Sequence, residues 1–129
     1  MKFDRTSADH KQSGANRILL VERDRMLREL RTEILHINGF KVHAEETLNE
    51  ARVIWQPGDF DMVLISWEHH PEEALSFCEE LKAQDPALNY VILRSAARYI
   101  PRNECTDAVI PLAEGPQHMV ERVRTLLAD

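Results

Sequence analysis

The chain has 129 residues, the length of one ordinary domain that buries a hydrophobic core without needing a metal ion or a disulfide. A formal net charge of -6 and a hydrophobic fraction of 43% argue against a general surface for nucleic acid. Residues 1–15 are polar and lack the apolar run of a signal peptide or membrane anchor. We therefore expect a flexible tail over residues 1–15 and one domain over residues 16–129, with neither nucleic acid nor a membrane as partner.

Apolar runs alternate with helical patterns from the start of this domain. A strand is predicted over residues 17–22 and a helix over residues 24–37. Five apolar residues recur at helical spacing in that helix, namely Met26, Leu27, Leu30, Ile34 and Ile37. A second strand over residues 40–44 precedes Thr47 and Glu50, whose spacing is that of a capping box and predicts the start of a second helix.

The third strand, predicted over residues 61–66, contains four consecutive apolar residues and should be central in the sheet. A third helix is predicted to begin near Pro71. Two more strands follow, over residues 90–93 and 108–110, and a last helix begins near residue 116. This alternation predicts an α/β domain in which a parallel sheet is covered by helices on both faces.

Two details of the second half complete the expected organisation. Between Ser95 and Ile110 the chain contains Pro101 and no convincing apolar stripe, so any helix there should be short or irregular. The two cysteines, Cys78 and Cys105, show neither metal-site spacing nor the framework of a secreted disulfide protein. We expect two reduced thiols in a cytoplasmic protein.

Four segments, in this order, resemble the strand ends of a response-regulator receiver domain. They are 18–24 (ILLVERD), 61–66 (DMVLIS), 91–96 (VILRSA) and 109–111 (VIP), and the resemblance covers about residues 17–128. It implies a flavodoxin-like (CheY-like) three-layer sandwich with a five-stranded parallel sheet in the order 2-1-3-4-5.

The resemblance also implies a site, because receiver domains hold Mg²⁺ with an acidic pair after the first strand. Glu22 matches the first acidic position, but Arg23 stands at the second and brings a cation where the metal needs an anionic oxygen. We therefore expect impaired Mg²⁺ binding and no cofactor. Asp24 is predicted to cap the first helix, although Glu22 and Asp24 together remain a weak alternative as metal ligands.

The remaining positions of the implied site have mostly lost their chemistry. Ser66 stands where the family has its phosphoacceptor Asp, and a serine hydroxyl needs a base to become nucleophilic. Ser95 matches the Thr or Ser with which the family senses the phosphoryl group. Ile110 stands where the family has the Lys that pairs with the phosphoryl oxygens, and the Pro that often follows this Lys is present as Pro111. These residues predict a degenerate phosphorylation pocket without catalytic residues.

Other interpretations of the same residues are less favoured. Ser66 with His69 and His70 has the residue types of a hydrolase, and Glu68 with the two histidines has those of a metal site, but neither has a supporting motif. Arg23 should pair with Glu22, and with Glu68 if that residue is within reach.

The prediction is a non-enzymatic, receiver-like module of bacterial two-component signalling that acts by protein contact. Its expected partner is a histidine kinase, an output protein or another receiver, including a homodimer, because no output segment follows residue 129. One alternative is a phosphotransfer-competent regulator using Asp24 or Asp61, although Asp61 should lie at the opposite end of its strand. Another is a sensor that binds an anion between Arg23 and Arg94.

Overall fold

The structure is a computed structural model that describes residues 16–67, 71–95, 100 and 103–128. In chain order its elements are β1 (Arg17–Val21), α1 (Arg25–Ile37), β2 (Lys41–Glu45), α2 (Leu48–Ile54), β3 (Met62–Trp67), α3 (Pro71–Gln84), β4 (Asn89–Arg94), β5 (Ala108–Pro111) and α4 (Gly115–Ala128), with a 3-10 turn at Leu112–Glu114 before α4. The predicted elements are all present, with ends that differ by one or two residues.

The strands form one parallel sheet in the order β2-β1-β3-β4-β5, as predicted. β3 is central, and its apolar run is fully covered because helices pack on both faces of the sheet. One core lies under α2 and α3, and a second core lies under α1 and α4. Alternate residues along each strand contribute to opposite cores, which fixes the side of the sheet on which each strand-end residue lies.

The helix starts follow local rules that are legible in the sequence. Asp24 is the N-cap of α1 and accepts a hydrogen bond from the backbone N–H of Leu27 at 3.0 Å. Thr47 and Glu50 form the predicted capping box at the start of α2. α1 ends before Gly39, whose φ of 97° lies in the left-handed region that glycine adopts without a Cβ penalty.

The apolar residues that recur along α1 do not all face the core. Met26, Leu30 and Ile37, here called the α1 stripe, are exposed to 80%, 55% and 69%. The buried positions of this helix are Arg31 and Leu35. The helix is therefore rotated so that an arginine faces the sheet while part of the apolar set faces solvent.

The expectation of two reduced thiols is wrong, because Cys78 and Cys105 form a disulfide. Their Cα atoms lie 6.2 Å apart although the residues are separated by 27 positions. Cys78 belongs to α3 and Cys105 to the connection that precedes β5, so only the packing of that connection against the helix brings them together.

Three expectations lie wholly or partly outside the described residues. The tail over residues 1–15 is one, and most of the segment in which a short or irregular fourth helix was expected is another. The third is the chemistry assigned to residues 68–70. Across the described ranges, no helix is both long enough and apolar enough to cross a membrane.

Candidate functional site

The carboxyl ends of four neighbouring strands, β1, β3, β4 and β5, place four residues in one row at one end of the sheet. Ser66 pairs with Leu93 and Leu93 with Ile110, while Glu22 extends β1 at the same level. We call Glu22, Ser66, Leu93 and Ile110 the strand-end row. Adjacent strands are about 4.8 Å apart, so the Cα atoms of Ser66 and Ile110 are separated by about 10 Å. Ser95 follows β4 two residues beyond Leu93 and is exposed.

Glu22 is fully buried and its carboxylate is satisfied from within the protein. One oxygen, Oε1, forms an ion pair with the Nη1 group of Arg31. The other, Oε2, accepts the backbone N–H of Asp24 at 2.9 Å. The guanidinium of Arg28 donates to the Glu22 carbonyl oxygen, also at 2.9 Å. Because both carboxylate oxygens already have donors, Glu22 has little left to offer a hydrated metal ion.

The partner of Glu22 is thus Arg31 and not Arg23 as predicted. Arg23 is exposed at the start of the turn into α1, whereas Glu22 is fully buried. Arg31 was missed by sequence reasoning, although its spacing carried a signal. It stands four residues from Leu27 and four from Leu35, in the row of α1 that faces the sheet. A charged residue in such a row needs a buried partner.

The two aspartates of the shifted-acceptor alternative lie in different places. Asp24 caps α1 as predicted, and that hydrogen bond engages its Oδ1 atom. Asp61 precedes β3, and its Oδ2 atom accepts the backbone N–H of Arg17 at 2.9 Å. Ser66 comes five positions after Asp61, which is about 16 Å along an extended strand. Asp61 therefore lies at the amino end of β3, at the opposite end of the sheet from the strand-end row.

The far half of the strand-end row is apolar. Leu93 and Ile110 are both fully buried and belong to the core under α1 and α4. A lysine at position 110 would have to extend its ammonium group out of this core to reach solvent at the strand ends, whereas the isoleucine side chain completes the core. Pro111 ends β5, and its peptide bond with Ile110 is trans.

A cleft of about 500 Å³ opens beside the strand-end row, between α2 and α3. Val21 and Ile65 form part of its apolar lining, and Ser66 and Arg23 line it too. Within the described part of the chain, three acidic residues also line it, namely Glu46, Glu72 and Glu73.

The charges around the cleft do not favour an anion. Its second cation, Arg52, donates to both carboxylate oxygens of Glu80 at 3.1 and 3.0 Å and lies 5.1 Å from the ring centre of Phe77. Arg23 is then opposed by three carboxylates. Arg94 does not line the cleft, and its buried Nε atom has no hydrogen-bond partner among the described residues.

The alternatives built on residues 68–70 involve side chains outside the described residues. Within the described ranges, no group of three or more His, Cys, Asp or Glu side chains is arranged to hold a metal ion.

The sheet order and the position of the strand-end row define a flavodoxin-like α/β domain. No family model and no curated protein matches the sequence. Solved structures do match. The non-phosphorylated HemR receiver domain from Leptospira biflexa gives a TM-score of 0.76 at 22% identity, over 88% of this chain and 95% of that one.

Two further structures show the same relationship. A chain from the complex of the histidine kinase ThkA with the response regulator TrrA gives a TM-score of 0.73 at 23% identity, over 87% of this chain and 98% of that one. An atypical orphan response regulator, whose structure revealed a phosphorylation-independent regulatory mechanism, gives a TM-score of 0.68 at 21% identity, over 87% of this chain and 95% of that one. The chain therefore has the fold of response-regulator receiver domains.

Proposed function

We propose that the chain is a receiver-like signalling module that does not accept a phosphoryl group and that acts by contact with a protein partner. One observation carries the proposal. The carboxylate of Glu22, at the first acidic position of the resemblance, is buried in an ion pair with Arg31. This pair neutralises the position from inside the fold, so the loss of metal binding does not depend on Arg23 alone.

The loss of the metal has a direct chemical consequence. Mg²⁺ binds proteins through carboxylates in near-ideal octahedral geometry and gives up its bound water molecules with difficulty. Without it, the charge of a transferring phosphoryl group lacks its main stabilising cation. The strand-end row supplies no replacement, because Leu93 and Ile110 are apolar and buried.

The acceptor position supports the same proposal. Ser66 offers a hydroxyl where acyl-phosphate chemistry needs a carboxylate that is ionised at neutral pH. Asp24 and Asp61 do not take its place, since Asp24 caps a helix and Asp61 lies at the opposite end of β3. We therefore propose no enzymatic activity for this site.

We propose that the partner docks on the exposed apolar face of α1. The α1 stripe exposes three large apolar side chains, and its first and last members are eleven positions apart, or about 16 Å along a helix. Exposed apolar residues repeated on one helix face are typical of docking to another helical surface. We propose a partner of the two-component type, such as a histidine kinase or another receiver, and a cytoplasmic setting.

The test is incubation of the full chain with acetyl phosphate and Mg²⁺, followed by intact mass measurement. We expect no labile phosphoryl adduct. A Ser66→Asp variant is the matched control, because it restores the acceptor and leaves Arg23 and the Glu22–Arg31 pair in place. We expect this variant to stay unlabelled as well. A Mg²⁺-dependent adduct on the wild-type chain would overturn the proposal, and one on the variant alone would show that the metal site is intact.

A further inference from the structure

The disulfide between Cys78 and Cys105 joins two elements that are distant in sequence. Cys78 lies in the middle of α3, is fully buried, and belongs to the core under α2 and α3. Cys105 is only partly buried and lies in the connection from β4 to β5. We propose that this pair is a reversible thiol–disulfide site, opened by a dithiol reductant, which controls whether residues 103–106 are held against α3 by a covalent bond at Cys105.

Access to the bond comes from the side of Cys105. An open groove of about 600 Å³ runs between α3 and the connection, and Cys105 itself lines it. The other described residues that line it are Leu75, Glu79, Lys82, Ala83, Asn103 and Glu104. Thiol–disulfide exchange needs a thiolate to reach one of the two sulfur atoms. The groove directs that attack to Cys105, because the burial of Cys78 protects the other sulfur.

The charges of the groove select the class of reductant. Among the described residues that line it, Glu79 and Glu104 are acidic, and the one cation, Lys82, is already paired with Asp107 at 2.5 Å. The groove therefore repels anions, and glutathione carries a net negative charge at neutral pH. An uncharged dithiol, or a protein dithiol, does not meet that repulsion.

The connection keeps other attachments when the disulfide opens. The Asp107 carboxylate accepts the backbone N–H of Tyr90 at 2.8 Å, in addition to its pair with Lys82. The Asn103 side chain accepts the backbone N–H groups of Cys105 at 3.1 Å and Thr106 at 2.7 Å, which holds the turn. Opening is thus local, since it releases Cys105 from α3 and leaves the start of β5 in place.

The chemical step is balanced by the dithiol. One thiolate of the reductant attacks the Cys105 sulfur and displaces the Cys78 thiolate, which takes up a proton. The second thiolate of the reductant then attacks the mixed disulfide and releases Cys105, which is protonated in turn. The reductant is oxidised to its own disulfide by two electrons, and both cysteines end as thiols.

The test measures thiols in the full native chain without denaturant. The chain is treated with dithiothreitol or with glutathione at equal thiol concentration and is then alkylated with iodoacetamide. Its intact mass gives the number of alkylated thiols. We expect two alkylated thiols after dithiothreitol, a severalfold slower reaction with glutathione, and closure again with oxidised dithiothreitol. Hydrogen exchange should rise in residues 103–106 and in the facing part of α3, while β1 and β3 stay protected.

A double variant, Cys78→Ala with Cys105→Ala, is the matched control and should show the same exchange with and without dithiothreitol. Three results would overturn the inference. They are thiols released only in denaturant, loss of the whole fold on reduction, and an isolated chain whose thiols stay reduced in oxidised dithiothreitol. The disulfide shares no residue with the strand-end row, so each of these results leaves the test of the proposed function unaffected.

Discussion

Removing one member of the Glu22–Arg31 pair should be strongly destabilising. In an Arg31→Met variant the carboxylate of Glu22 stays fully buried and keeps only the backbone N–H of Asp24 as a donor. Breaking a buried ion pair from one side typically costs about 3–5 kcal/mol, because the remaining charge is left without compensation. That is a large part of the roughly 5–15 kcal/mol that stabilises a domain. Urea denaturation followed by circular dichroism measures the loss as a lower midpoint at an unchanged slope.

A double-mutant cycle separates this effect from the simple loss of a side chain. The double variant Glu22→Gln with Arg31→Met removes both charges and should recover about 2 kcal/mol relative to the sum of the single variants. Arg25→Met is the matched control on the same helix. Arg25 forms an exposed pair with Glu29 and should cost no more than about 0.5 kcal/mol. Equal losses in Arg31→Met and Arg25→Met, without coupling to Glu22, would refute the reasoning.

Three further predictions concern other parts of the fold. Burial raises the pKa of Tyr90 well above its usual range, and the nearby Arg52 charge lowers this pKa by a smaller amount. The folded state therefore favours the neutral phenol, and the stability that comes from this preference is complete below about pH 10, the pKa in the unfolded chain, and is lost as the pH rises above it. Tyr90→Phe, which removes a 2.6 Å hydrogen bond to a carbonyl oxygen, should cost about 1 kcal/mol at pH 7 and should flatten the alkaline loss of stability in urea titrations. Thr47→Ala should lower the free energy of unfolding by about 1 kcal/mol, whereas Thr47→Ser should restore most of it, and equal values for the two variants would contradict the capping box. Opening the disulfide, whose partners are 27 residues apart, should lower stability by about 3.5 kcal/mol on the chain-entropy model, and an unchanged urea midpoint after reduction would contradict this.

The sequence was sufficient to predict the architecture because its signals are local. The apolar run of β3, the caps at Asp24 and Thr47, and the alternation of strand and helix patterns each depend on neighbouring residues. The sheet order followed from the resemblance of the strand ends, and the structure has that order. The assignment of the strand-end residues to a degenerate phosphorylation pocket stays a prediction, although the structure places Glu22, Ser66 and Ile110 in one row.

The residues themselves determined which chemical groups stand at the strand ends, since a serine, an arginine and an isoleucine are present whatever the packing. Tertiary structure alone decided how they are used. The spacing of Leu27, Arg31 and Leu35 indicates one possible inward face of α1, but only the packing of the helix on the sheet buries Arg31 against Glu22 and exposes the α1 stripe. In the same way, only the packing of the β4–β5 connection on α3 brings Cys78 to Cys105. Contacts between separate elements depend on how helices and loops settle on the sheet, and that information is spread over the whole core.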